Sequence, residues 1–316
     1  MKRVLITGCA GFIGSTLCKS LINKGQTVIG IDNLAKNYPI EFKKANLAQI
    51  RLSKRFYFHQ VNVLNYRHIR TIVQKYRPQT VFHLAALTGV RTSLQKPQTY
   101  FATNVIGTKN IYLATVSIKG SKFIFTSSSS VYGNSSQIPF LETQELKPLS
   151  PYAKSKFEAE ILLKKLRIKA KIPTTILRLF SVYGPFGRPD MAPYLFTQAA
   201  FSGKGIDIFG DGRIARDYTY IDDVIKALQK CLKLTSLWEI INIGNSSPVT
   251  INHLINTIER LTKKKISRHI KSKIKEEPLV TYANIDKAKD ILSWQPKTPF
   301  KLGIIKFIQW YSQNHL

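Results

Sequence analysis

The chain is short of several things, and each shortage excludes something. Only three cysteines, Cys9, Cys18 and Cys231, occur in 316 residues. Their odd number and spacing fit neither a disulfide framework nor a metal site, so free thiols in a reducing compartment, the cytoplasm, are expected. No apolar run reaches the length of a membrane span. A first strand within a few residues of Met1 leaves no room for a signal peptide. Acidic residues are scarce: 18 Asp and Glu face 48 Lys and Arg, a net charge of +30. Such a chain attracts anionic ligands, nucleic acid or acidic membrane surfaces. The densest basic runs, residues 164–171 and 263–275, lack the interleaved aromatics of a base-stacking surface. The excess is read as solvated surface, and nucleic acid is not expected as the primary partner.

What is present is a rhythm. Residues 2–7 read as a buried strand, 12–24 as a helix and 27–31 as a second strand. Strands follow near 56–61, 80–84, 122–126 and 174–179, with helices near 66–75, 98–118 and 152–171 between them. Strands alternating with helices imply an α/β fold with a doubly wound parallel sheet covered on both faces. From Phe180 the rhythm breaks into loop punctuation and shorter elements, with helices expected near 193–203, 222–232, 250–262, 286–293 and 300–313. Two domains are expected, 1–180 and 181–316. The boundary is soft, because a segment such as Ile240–Ile243 can return to the first sheet.

Thr7-Gly8-Cys9-Ala10-Gly11-Phe12-Ile13-Gly14 joins the first strand to the first helix. Glycines at this spacing allow a tight turn, close approach of a pyrophosphate and close helix–strand packing, and the helix N-terminus favours an anion. The second strand ends in Asp32, which can bond an adenine ribose and would repel a 2′-phosphate, favouring NAD over NADP. Asn33 is a further ribose contact. Downstream, Tyr152 and Lys156 lie four apart, on one face of a helix. An ammonium near a phenol favours the phenolate, which can act as general base on an alcohol. Taken alone, the pair also fits an exposed helix face.

The glycine loop, His83-Leu84-Ala85-Ala86, Asn104, the serine run Thr126-Ser127-Ser128-Ser129-Ser130 and Tyr152-x-x-x-Lys156 occur in a fixed order. In this the chain resembles the extended short-chain dehydrogenase/reductase family, in its nucleotide-sugar epimerase and dehydratase branch. The resemblance implies a Rossmann-type NAD-binding domain, a smaller C-terminal α/β domain for the sugar nucleotide, and a homodimer built on the helices near 98–118 and 152–171. It implies that Tyr152 is the base, that Lys156 lowers its pKa and holds the nicotinamide ribose, and that Ser128 bonds the sugar 4-hydroxyl beside Thr126 and Ser127. Gly8, Gly11, Phe12, Ile13, Gly14, Asp32, Asn33, Leu84, Ala85, Ala86 and Asn104 fall at cofactor positions. So do Asn62 and Val63, where Asn62 stands in for the family's usual Asp.

The dehydratases of this branch carry an Asp-Glu pair after the catalytic hydroxyl, and here those positions are Ser129 and Ser130. Serines cannot supply the acid and base that elimination requires. What remains is oxidation and reduction at one carbon. Gly187-Arg188-Pro189-Asp190-Met191, with Gly89-Val90-Arg91 and Arg216-Asp217-Tyr218, resembles UDP-glucuronate 4-epimerases. That implies hydride removal from C4 to bound NAD, rotation of a 4-keto sugar, and hydride return. Arg188, Ser181 and Thr126 are the candidates for the sugar carboxylate, Arg216 for the diphosphate, and Arg91 is a further substrate contact. Each arginine could instead serve a structural ion pair, with Asp190, Asp217 or Asp222. A second departure from relatives lies at Lys275-Glu276-Glu277-Pro278, beside the nucleotide pocket. No metal is expected. Two other readings stay open: a UDP-glucose 4-epimerase, and a non-catalytic Rossmann binding protein.

Overall fold

The computed structural model describes residues 2–315. Its centre is a sheet of seven strands: β1 (Arg3–Thr7), β2 (Thr27–Asp32), β3 (Phe56–Gln60), β4 (Thr80–His83), β5 (Lys122–Ser128), β6 (Thr174–Leu179) and, further along the chain, Trp238–Ile243. All six pairings are parallel. Side chains alternate across the pleat, so Val4 and Ile6 enter one apolar core and Leu5 the other. Both faces are covered, which explains why these strands read as near-continuous apolar runs. The helices Tyr66–Tyr76, Gly107–Val116 and Pro151–Ala170 cover one face. The helices Phe12–Asn23, Ile40–Arg51 and Ile221–Cys231 pack on the other, in a core that runs on into the C-terminal elements.

Strand order passes from the Trp238–Ile243 strand through β6, β5, β4 and β1 to β2 and β3, so the winding reverses between β4 and β1. In open α/β sheets, ligands bind in the crevice at the carboxyl ends of the strands at such a reversal. The remaining strands, in chain order, are β7 (Ser181–Tyr183), β8 (Ile206–Phe209), β9 (Ala215–Tyr220), β10 (the Trp238–Ile243 strand), β11 (Pro248–Thr250) and β12 (Arg268–Lys271). β11, β9 and β7 make a three-stranded sheet, and β12 pairs with β8. β10 closes the main sheet by pairing with β6.

Two features depart from the sequence pattern. The expected helix near 98–118 is broken: Pro97–Phe101 and Gly107–Val116 are α-helical, and Ala102–Ile106 between them is a π-helical turn. That turn carries Asn104, 1% exposed. The apolar pattern also marks no helix between residues 32 and 56, yet Ile40–Arg51 is one. Its buried face holds Lys43 and Asn46 beside Leu47 and Ile50, which dilutes the apolar periodicity. Among the described residues, no helix is long and apolar enough to cross a membrane, and no cluster of His, Cys, Asp or Glu could hold a metal ion.

Candidate active site

A cleft of about 1350 Å³ runs along the carboxyl ends of the strands. Single drug-sized ligands occupy roughly 300–1,000 Å³, so the volume suits two ligands side by side. One end is the glycine loop. Gly8 has φ +72, and a Cβ there would lie 2.8 Å from the Ala85 backbone nitrogen. A Cβ on Gly14 would lie 2.0 Å from the Gly8 carbonyl oxygen. No side chain caps the Phe12–Asn23 helix, so its first amides remain for an anion. Asp32 is 7% exposed. Its Oδ2 accepts from the Ala10 amide at 3.1 Å and its Oδ1 from the Leu34 amide at 2.8 Å, so the expected ribose acceptor also braces the loop. The cradle fits a dinucleotide without a 2′-phosphate.

The neighbouring cofactor positions serve mainly to hold loops. Asn33 Oδ1 accepts from the Ala35 amide, and Asn62 Oδ1 from the Leu64 amide. Val63 packs against Gly107. Asn104 accepts from the Leu87 amide and donates to the Leu87 carbonyl and the Ser155 hydroxyl, pinning the strand end that carries Leu84, Ala85 and Ala86. Beneath it, His83 meets the Thr7 hydroxyl at 2.7 Å and the Thr108 hydroxyl at 3.0 Å. Burial pushes the imidazole down to about 3, so it is neutral.

At the other end of the cofactor cradle stands the reaction centre. Ser150 caps the Pro151–Ala170 helix by accepting from the Ala153 amide at 3.1 Å, and Pro151 opens it. That start places Tyr152 beside Ser128, which ends β5, on the cleft wall. Burial pushes the Tyr152 phenol up; Ser128, then the Arg188 charge, act downward. Lys156, expected to pull the phenol down as well, donates its Nζ to the Thr126 carbonyl at 2.7 Å, and burial pushes its own pKa down to about 7. The Thr126 hydroxyl is tied to the His83 carbonyl. Ser130 donates to the Ser128 hydroxyl through both its amide and its own hydroxyl. The Ser127 hydroxyl is buried, lines the cleft and has no partner within the described chain.

The arginines spread along the cleft. Arg188 pairs with Asp190 and lies 5.9 Å from the Tyr38 ring centroid. The structural partner foreseen for it is therefore present, while its charge still reaches Tyr152. Arg216 donates to the Ala215 and Pro278 carbonyls and lies 3.4 Å from Glu277. Its partner is thus neither Asp217 nor Asp222 but the residue at the second departure. Arg91 stacks over Phe209 at 4.8 Å, and Ser181 opens β7 on the cleft wall.

Sequence reasoning missed Lys43 and Tyr38. Lys43 is buried, donates to the Ala35 carbonyl and Asn37, and so staples the loop after Asp32. Tyr38 lies between Lys43 and Arg188. A lysine and a tyrosine near the end of a loop carry no motif; only the fold brings them to the site.

Comparison with known proteins agrees with this geometry. Residues 5–307 match the family model described as GDP-mannose 4,6-dehydratase. A UDP-glucuronate 4-epimerase of Thermodesulfobacterium geofontis is 38% identical over 316 residues, covering 99% of this chain and 97% of the relative. The crystal structure of UDP-glucuronic acid 4-epimerase from Bacillus cereus, in complex with UDP-glucuronic acid and NAD, superposes with a TM-score of 0.93 at 36% identity, covering 98% of this chain and 99% of that one. A UDP-glucose 4-epimerase of Thermotoga maritima with UDP-glucose superposes with a TM-score of 0.90 at 30% identity, over 98% of this chain and 99% of that one. With the strand order, the glycine cradle and the Tyr152–Ser128 pair in place, the chain belongs to the GDP-mannose 4,6-dehydratase-like group of the extended short-chain dehydrogenase/reductase family.

Proposed function

We propose that this protein is an NAD-dependent 4-epimerase of UDP-glucuronate, producing UDP-galacturonate. The observation that carries the reading is Tyr152 beside Ser128 on the cleft wall, with serines rather than acids at 129 and 130. That arrangement can move a proton at one sugar hydroxyl and has no group placed to eliminate water. The relatives of known structure that bind UDP-glucuronic acid and NAD support the same substrate and cofactor.

The glycine loop, Asp32, Asn62, the Leu84–Ala86 strand end and Lys156 hold NAD. When bound, NAD supplies the oxidant that takes hydride from C4 and gives it back. Tyr152 accepts the proton of the 4-hydroxyl, with Ser128 bridging, and later returns it. Arg216 faces the diphosphate and keeps UDP anchored while the 4-keto sugar turns over. Ser127, Ser181 and Arg188 receive the carboxylate, since a charge-assisted grip on it opposes loss of CO₂ from a β-keto acid. In this reading residues 1–180 serve the cofactor and 181–316 the sugar nucleotide, with β10 returning to the first sheet. A second copy pairs through the helices spanning 97–116 and 151–170, where Ile106 is 49% exposed. The cytoplasm, with its reducing conditions and nucleotide sugars, is the compartment.

The test is a panel of UDP-sugars with NAD, products identified by NMR. UDP-galacturonate from UDP-glucuronate is expected; turnover of UDP-glucose alone would move the assignment to the neutral hexose, which the Thermotoga maritima likeness favours. Tyr152→Phe should abolish turnover and leave NAD bound, and a fully active variant would remove Tyr152 from the reaction.

A further inference from the structure

The helix that carries Tyr152 buries two more ionisable groups at successive turns. Lys156 is 3% exposed and Glu160 5%. The Lys156 ammonium donates to the Thr126 carbonyl and lies 4.7 Å from the Phe125 ring centroid. Both partners are neutral. Glu160, four residues on and on the same helix face, is the nearby counter-charge. Its carboxylate is held at both oxygens by Arg178 of β6, Nε to Oε1 at 3.2 Å and Nη2 to Oε2 at 2.8 Å. Arg178 is itself 2% exposed, and its Nη1 donates to the Tyr132 hydroxyl and the Glu142 carbonyl. A two-pronged grip of this kind fixes both the place and the orientation of a carboxylate.

We propose that Glu160, fixed by Arg178, supports the ammonium form of Lys156 and so acts as a positioning residue for the Tyr152 centre. An ammonium without a counter-charge in a dry site reverts to the neutral amine. Burial drives Lys156 in that direction, and Glu160 opposes the shift. The other groups around Lys156 cannot replace it. His83 of β4 is neutral, and Thr126 and Phe125 of β5 carry no charge. Tyr152, one turn earlier on the helix, is a phenol pushed up by burial and supplies no counter-charge. Arg178, Tyr132 and Glu142 belong to the network around Glu160. The role of Glu160 therefore lies in the charge state beneath the reaction centre, without contact with substrate.

The charge claim stands on the apoprotein; only its kinetic consequence rests on the epimerase reading. The experiment is NMR titration of the full chain carrying ¹³C at lysine Cε, without cofactor, the Lys156 signal identified by its loss in Lys156→Met. Glu160→Gln should lower the Lys156 midpoint by about one pH unit, and Glu160→Asp should restore most of it. The alkaline limb of turnover on UDP-glucuronate should move down with it. A folded Glu160→Gln protein with an unmoved midpoint overturns the proposal. If that variant does not fold, Glu160→Gln/Arg178→Met removes the pair without stranding a charge; because a cation leaves as well, the midpoint should fall by less, and an unmoved midpoint overturns the proposal. Wild-type protein inert on UDP-glucuronate would count against the epimerase reading, and the midpoint would still decide the role of Glu160.

Discussion

Gly14→Ala probes the cofactor site where the structure leaves least room. The new methyl would sit 2.0 Å from the Gly8 carbonyl oxygen, 2.8 Å from its carbon and 3.0 Å from the Cys9 Cα, all backbone atoms. The loop cannot slide away freely. Gly8 donates to the Ile31 carbonyl at 2.7 Å, Gly11 to the Gly8 carbonyl at 3.0 Å, and Ala10 to Asp32. Relief therefore requires a shift that breaks one or two of these bonds. Overpacking costs roughly 1–3 kcal/mol, and each lost bond about 1 kcal/mol more. Divided between fold and ligand site, that leaves NAD binding weakened by about 50-fold or more. Calorimetric titration of apoprotein with NAD, with circular dichroism to verify folding, gives both numbers. A folded Gly14→Ala protein that binds NAD within about threefold of wild type would refute the reasoning, since the clash alone exceeds that.

Other consequences follow from the same contacts. Arg188→Leu should lower kcat/KM on UDP-glucuronate by about 10- to 100-fold more than on UDP-glucose, the range expected for one charge-assisted bond; equal losses on both sugars would contradict a carboxylate role. Arg178→Met strands the Glu160 carboxylate and should destabilise the fold by roughly 3–5 kcal/mol in urea denaturation, more than the double variant that also removes the charge of Glu160. His83 is buried and neutral with a folded value of about 3. Between that value and the unfolded one near 6.5, only the unfolded state binds the proton, so stability falls as pH drops through this window, by at most about 1.4 kcal/mol per unit. Asp217, raised to about 6 by burial, pulls in the opposite sense over its own window, so the reading is the difference in slope between wild type and His83→Gln; identical slopes would show that His83 takes up its proton in the folded state.

The parts of the site that were legible in the sequence are those whose chemistry is local. The glycine loop is a run of eight residues, and Tyr152 and Lys156 share one helix turn, so spacing alone describes them. The parallel sheet was legible because strands buried on both faces read as apolar runs. What stayed hidden depends on partners far away in the chain. Tyr132 donates to Asn242, 110 residues on, and Arg216 meets Glu277, 61 residues on. The π-helical turn at Ala102–Ile106 leaves no compositional mark, though it sets the position of Asn104. Lys156 shows the limit of a motif most clearly. The i, i+4 spacing placed it near Tyr152, but its bond to Thr126 and the grip of Arg178 on Glu160 come from β5 and β6 packing beneath the helix.

The central claim is that hydride leaves and rejoins the same carbon within one closed site. The most direct measurement uses UDP-glucuronate carrying deuterium at C4, incubated with the protein and NAD in ordinary water and followed by NMR. The account predicts UDP-galacturonate with the deuterium still at C4 and none lost to solvent. Product with hydrogen at C4, or a decarboxylated pentose in its place, would contradict it.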